Sequence, residues 1–378
     1  MRIALLLLAP AALAAGDSTH ALPTPPGGDV PHVQRPERTE PDLERPLAWL
    51  IAAQNADGSW GETVKSPTPD VATTAVAGLA LLRMGHTGSR GEHQDSTRRA
   101  VRFVVAAVER TAPDEIAINA PGTLPQRKLG RNIDTFVAAQ FLAEVLPTLP
   151  GGELQERARK AISSCASRIE RAQTADGSYA KDGWAPLLAS AFANNGLYAA
   201  RGAGVQISAE TLAKGQQNLM GKYDDKTKQF SASDAAGVQL YSVAASGLAA
   251  VQMEQSASAS PATPEKDRMK ARASEARKAA SAQLANDRVL SGFGSYGGEE
   301  HDSYMLAAEA KAAIGGAEWA EFRKSMRARL ASIQREDGTW RGDHCITSTT
   351  FCTAASLITL AVPPKGNGRA PEGGATRG

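Results

Sequence analysis

A seven-residue pattern that occurs three times constrains this chain more than any other feature. Gln54-Asn55-Ala56-Asp57-Gly58-Ser59-Trp60, Gln173-Thr174-Ala175-Asp176-Gly177-Ser178-Tyr179 and Gln334-Arg335-Glu336-Asp337-Gly338-Thr339-Trp340 share the form Gln-x-x-Asp-Gly-Ser/Thr-aromatic. The glutamines stand 119 and 161 residues apart. These gaps fit about two and about three units of roughly 55 residues, and self-similarity at a fixed period marks a repeat architecture. Asp-Gly is a turn dipeptide whose glycine supplies a positive φ. The glutamine closes the preceding helix and can bond backbone groups left open there, while the aromatic ring folds back over the turn. These duties are structural, so the motif specifies a fold and not a reaction.

Each motif is followed by a small-residue apolar helix, over 70–82, 184–200 and 347–360, and similar stretches occupy 134–145, 239–251 and 302–314. More amphipathic segments precede them, such as 44–53, 96–108 and 323–333. A helix that is apolar nearly all round must be buried on both sides, whereas one with a single apolar stripe lies at a surface. Six such pairs fit a closed ring with the apolar helices inside. The expected fold is all-α, an α6/α6 toroid of six helical hairpins.

The ends of the chain read differently. Arg2 precedes an apolar run from Ile3 to Ala14 that is too short to span a bilayer, and Ala12-Leu13-Ala14 has the small-x-small form of a cleavage site. Residues 1–14 are therefore expected to be a signal peptide, and the protein periplasmic or secreted. A proline-rich linker follows over 15–42, the toroid domain over 43–361 with an insert near 253–268, and a flexible tail over 362–378. The 42 Lys plus Arg against 40 Asp plus Glu leave no basic footprint for nucleic acid. No later run is long enough for a membrane span in the mature chain. Cys165, Cys345 and Cys352 allow at most one disulfide, with Cys345 and Cys352 the pair to consider if Cys345 lies in a loop before the last helix.

The motif resembles the QW-type repeat of the prenyltransferase and squalene/terpene cyclase superfamily. Arg45, Trp49, Leu50, Gln54, Gly58 and Trp60 follow that family's basic, aromatic, aliphatic, Gln, Gly, Trp order, departing at Pro46. The copies ending at Tyr179 and Trp340 carry Arg168 and Arg329 at the aromatic position. The resemblance covers about residues 44–360 and implies the α6/α6 toroid. It does not carry the cyclase chemistry, because the D-x-D-D acid motif of class II cyclases is absent. Asp343-His344-Cys345 is similar to the D-x-C of the protein prenyltransferases, whose zinc takes a further histidine from the next repeat. The resemblance thus offers a zinc site of Asp343 and Cys345 with His301, or His344 in its place, against the plainer reading of an Asp cap beside a free or bridged cysteine.

Asp70, Asp134, Asp302 and Asp343 are each expected just before an inner helix, where a carboxylate caps open amides. In a toroid these starts gather at one mouth, and His301, His344, Glu299 and Glu300 would join them there. Asp302, Asp343 and His344 are the candidate catalytic residues of such a mouth. The leading functional expectation is an exported, non-catalytic toroid that binds a protein, lipid or glycan. The alternative is an enzyme acting on an isoprenoid or a carbohydrate at the acidic mouth.

Overall fold

The computed structural model describes Glu40–Pro363 except residues 65, 67, 180, 181 and 259–262. The expected signal peptide, most of the linker, part of the insert and nearly all of the tail lie outside the described residues. In chain order the helices are α1 (Glu44–Ala53), α2 (Val71–Arg83), α3 (Gln94–Arg110), the short α4 (Leu124–Leu129), α5 (Ile133–Val145), α6 (Glu153–Ala172) and α7 (Pro186–Gly202). There follow α8 (Ala209–Met220), α9 (Gln239–Ser258), α10 (Pro264–Gln283), the short α11 (Asp287–Leu290), α12 (Gly298–Ile314), α13 (Gly316–Ile333) and α14 (Thr349–Ala361). Among the described residues no strand forms.

α2, α5, α7, α9, α12 and α14 each pack on the next, and α14 packs back on α2, so six helices close an inner ring. α1, α3, α6, α8, α10 and α13 lie outside it, each against one or two inner helices. The partition follows composition. Every residue from Val71 to Leu81 in α2 is buried, whereas α3 buries one stripe that includes Ala100, Val101, Val104, Val105 and Val108.

The repeated motif does the same work three times. Asp57 Oδ1 accepts from Ser59 N at 3.0 Å and Ser59 Oγ at 2.7 Å, and Asp176 and Asp337 repeat both bonds. Gly58, Gly177 and Gly338 take φ of +91°, +82° and +84°, a region that favours glycine. Trp60 Nε1 donates back to Leu50 O at 2.8 Å and Trp340 Nε1 to Leu330 O at 2.9 Å, with both rings fully buried. The amides of Trp60, Tyr179 and Trp340 donate to hydroxyls of the following inner helix, Thr74, Ser190 and Thr353.

The glutamine reaches further than its own turn. Gln54 Nε2 donates to Ser96 O at 2.9 Å, and Gln173 Nε2 to Thr211 O at 2.8 Å, in each case the first turn of the next outer helix. Gln334, in the last unit, meets residues just ahead of α1: its Nε2 donates to Asp42 O at 2.7 Å and its Oε1 accepts from Asp42 N at 2.9 Å. The motif thus staples one unit to the next, and the sixth unit to the first.

Where the motif is missing, an arginine from the next outer helix takes its place. Buried Arg168 of α6 reaches back to Thr111 O and Ala112 O at 3.0 Å each, and to Glu115 O, behind α3. Arg272 of α10 reaches Met220 O and Tyr223 O behind α8, and Arg329 of α13 reaches Asp287 and Tyr296 behind α10. Three seams are closed by glutamine and three by arginine. A planar guanidinium with five donors can saturate several carbonyls at once, as an unfinished helix end requires.

Several boundaries depart from the expectation. α12 starts at Gly298 rather than 302, because Glu300 supplies the cap: its Oε2 accepts from Gly297 N at 2.8 Å. α7 starts at Pro186, a residue suited to a first helical turn, and Trp184 is left half exposed. The stretch read as an insert is largely helical, the end of α9 and the start of α10. Cys345 does lie in the loop before α14, yet all three thiols are free.

Candidate functional site

The four aspartates expected to cap inner helices take four different positions. Asp70 caps α2, its Oδ1 accepting from Ala72 N at 3.1 Å and its Oδ2 from Thr73 Oγ1 at 2.6 Å. Asp134 sits inside the first turn of α5 without capping it, and Asp302 is buried a full turn inside α12. Asp343 is exposed in the loop before α14, whose cap is Ser348. The cap reading therefore holds for Asp70 alone. Patterning missed the difference because Ser348 and Glu300 compete for the same job a few residues away.

These acids do not form one open mouth. Burial pushes the Asp70 carboxyl up to about 6, with Glu62 adding to the rise, and that of Asp134 up to about 8, with Asp70 adding to it. Neither oxygen of Asp134 has a hydrogen-bond partner of good geometry. Asp302 belongs to a second group with Glu299 and Glu300: burial raises it well above the usual carboxylate range, and those two neighbours add to the shift. Both Asp302 oxygens and Glu299 Oε1 are buried and unpartnered, which is tolerable only for uncharged acids. Glu300 is tied up structurally, accepting from Tyr241 Oη at 2.6 Å and Phe293 N at 3.0 Å.

The histidines are also divided. His301 is buried, with Nδ1 2.9 Å from Ser356 Oγ, and burial lowers it to about 4. His344 is half-buried in the loop before α14, its Nε2 3.7 Å from Glu300 Oε2. Cys345 lies beside Glu299, and burial pushes its thiol up to about 11. Among the described residues no three His, Cys, Asp or Glu side chains form a group able to hold a metal. Of the set Asp343, Cys345 and His301, Asp343 is exposed in the loop before α14 and His301 is enclosed in α12.

The more promising space lies at the other ends of the inner helices. A cavity of about 390 Å³ is lined from five of them, by Arg83 of α2, Glu144 of α5, Asn195 and Tyr198 of α7, Gln252 and Gln255 of α9 and Glu309 of α12, and by Val362 just past α14. Leu248, Val251, Ala312 and Ala313 supply apolar wall. Arg83 pairs with Glu144 at 2.5 Å and Glu309 at 3.3 Å. Gln140 donates to Glu309 at 2.8 Å and to Glu144 at 3.0 Å, and Asn195 donates to Glu309 at 2.9 Å. Gln252 bridges Asn194 and Asn195 at 2.8 Å each, and Tyr198 Oη donates to Gln255 at 2.8 Å. Burial raises Glu309 above its ordinary value against the pull of Arg83.

No sequence motif pointed to these residues. Their signal is weak but physical: a polar side chain in the second half of an otherwise apolar inner helix, repeated at Arg83, Gln140, Glu144, Asn195, Gln252 and Glu309. Two further hollows, of about 370 and 310 Å³, lie at the opposite end beside single turns. The smaller includes Asp70 and Asn119 but neither Asp134 nor Asp302.

No protein-family model and no curated protein matches the sequence. Among solved structures the chain is similar to the type II terpene cyclase MstE from Scytonema, at 13% identity over 85% of this chain and 96% of that one, with a TM-score of 0.35. A point variant of the same enzyme gives 14% identity at the same coverage and TM-score. The closed ring here rests on the contacts between its own helices.

Proposed function

We propose that this protein is exported and acts as a binding toroid, holding a small ligand in the cavity at the C-terminal ends of its inner helices without transforming it. The observation that carries this reading is that the Asp70–Asp134 and Asp302–Glu299–Glu300 carboxyls lie away from this cavity, whose own acids, Glu144 and Glu309, are held by Arg83 and Gln140. The carboxyls suited to acid chemistry are buried in two groups at one end, where Asp70 among them lines a hollow of about 310 Å³, and the cavity of about 390 Å³ lies at the other. There, side chains from five inner helices hold one another in place, and preorganised polar groups in a concave, partly apolar pocket are what a binding site requires. The volume is within the roughly 300–1,000 Å³ usual for small-molecule sites.

Native mass spectrometry of protein recovered from the exporting cell tests the reading. A retained small molecule is expected, lost when Ala313→Phe fills the cavity while circular dichroism is unchanged. Retention indifferent to Ala313→Phe, or conversion of the bound molecule into a product, would overturn it. The same spectrum reads the mature N-terminus, expected at Ala15 or Gly16; an intact Met1 in the exported fraction would remove the cleaved-signal claim.

A further inference from the structure

We infer that the ligand of this cavity is a neutral polyhydroxylated molecule, a mono- or disaccharide; this rests on the binding reading above and goes on to name its ligand class. The first argument is charge. Arg83 sits between Glu144 and Glu309, so an anion meets two carboxyl groups and a cation meets a guanidinium. A fully charged ligand of either sign finds an opposing group within the wall. A neutral ligand meets no such penalty.

The second argument is the kind of polar group present. Asn195, Gln252, Gln255, Glu309 and Arg83 all end in planar groups with two or more hydrogen-bonding atoms side by side. Adjacent hydroxyls on a sugar ring, each both donor and acceptor, match such paired atoms. Mutual hydrogen bonds fix these planes in advance, so little side-chain entropy remains to be lost on binding.

The third argument is the apolar wall. Leu248, Val251, Ala312 and Ala313 face the same space, and Tyr198 adds a ring that already carries the Arg201 guanidinium at 5.0 Å. A sugar ring is itself two-sided, with C–H groups on its faces and hydroxyls around its edge. An ion or a simple amide lacks the apolar face, and an isoprenoid lacks the hydroxyl edge.

Isothermal titration of the full mature chain, stripped of retained ligand by unfolding and refolding, decides the class. The probes are maltose, cellobiose and N-acetylglucosamine, with choline, inorganic phosphate and farnesol as charged and apolar comparators. Binding of at least one saccharide is expected, weakened about tenfold or more by Gln255→Ala, a substitution at the cavity edge, and abolished by Ala313→Phe. If choline, phosphate or farnesol binds in a manner blocked by Ala313→Phe while no saccharide does, the saccharide inference fails and the binding reading stands. If no probe binds and native mass spectrometry finds nothing retained, both fail. Saccharide binding unaffected by either substitution would place the sugar elsewhere and overturn the inference.

Discussion

Replacing Asp134 by asparagine should stabilise this protein, and by an amount that grows with pH. Asp134 is fully buried, both oxygens lack good hydrogen bonds, and its carboxyl is pushed from 3.8 up to about 8 by burial, with Asp70 adding to the rise. The native state therefore keeps a proton that the unfolded chain releases above pH 4. Between the two values the unfolded state binds fewer protons, so stability falls as pH rises, by about 1.4 kcal/mol per unit for one group. Below pH 4 the acid is neutral in both states and the effect vanishes. Above about 8 it levels off. At pH 7 the accumulated cost is at most about 4 kcal/mol, and relaxation around the group reduces it to a few. Asparagine has nearly the same shape and burial cost but cannot ionise, so it removes only this pH-dependent part. Urea unfolding of wild type and Asp134→Asn at pH 4.5, 6 and 7.5 should show a pH-dependent gain of no more than about 1 kcal/mol at the lowest pH that grows to several at the highest. A variant destabilised equally at all three values would mean that Asp134 is ionised and paired, and the claim that this end of the ring holds neutral acids would fall.

Other outcomes follow from the seams and turns. Trp60→Ala or Trp340→Ala should cost about 3–5 kcal/mol by cavity formation, whereas Trp60→Phe should cost less by keeping most of the packing while losing the bond to Leu50 O; calorimetric melting compares them. Gly58→Ala should be worse than Gly338→Ala: both need positive φ, but the new Cβ would lie 2.4 Å from Arg99 O in the first case and 2.9 Å from the Arg45 side chain in the second. Equal melting temperatures would show that the turn tolerates either side chain. Arg168→Met strips donors from three carbonyls behind α3 and should cost about 3 kcal/mol, with Arg168→Lys recovering little because an ammonium lacks the planar fork. Denaturant midpoints for the pair check this, and full rescue by lysine would reduce Arg168 to a simple charge.

The ring was legible in the order of residues. A Gln-x-x-Asp-Gly-Ser/Thr-aromatic turn depends on neighbours only a few residues away: positive φ at Gly58, Gly177 and Gly338, and an Asp bonding two residues ahead. Local geometry of that kind demands the same residues each time, so it leaves a repeated signature. Burial all round α2 and on one stripe of α3 was legible for the same reason, since helical periodicity is written in consecutive residues. How the other three seams close was settled by packing: Arg168 and Arg329 stand at the motif's aromatic position and Arg272 at none, but the groups each one reaches lie behind the preceding outer helix, far off in sequence. Packing also decided which acids meet. Asp134 finds Asp70 across two inner helices, Asp302 is drawn inside α12 by the cap at Glu300, and Asp343 is left in an exposed loop. The cavity is the clearest case. Arg83, Glu144, Asn195, Gln252 and Glu309 are scattered over more than two hundred residues, and ring closure alone brings them to one end. Their charges and amides then satisfy one another in a space that no single helix encloses.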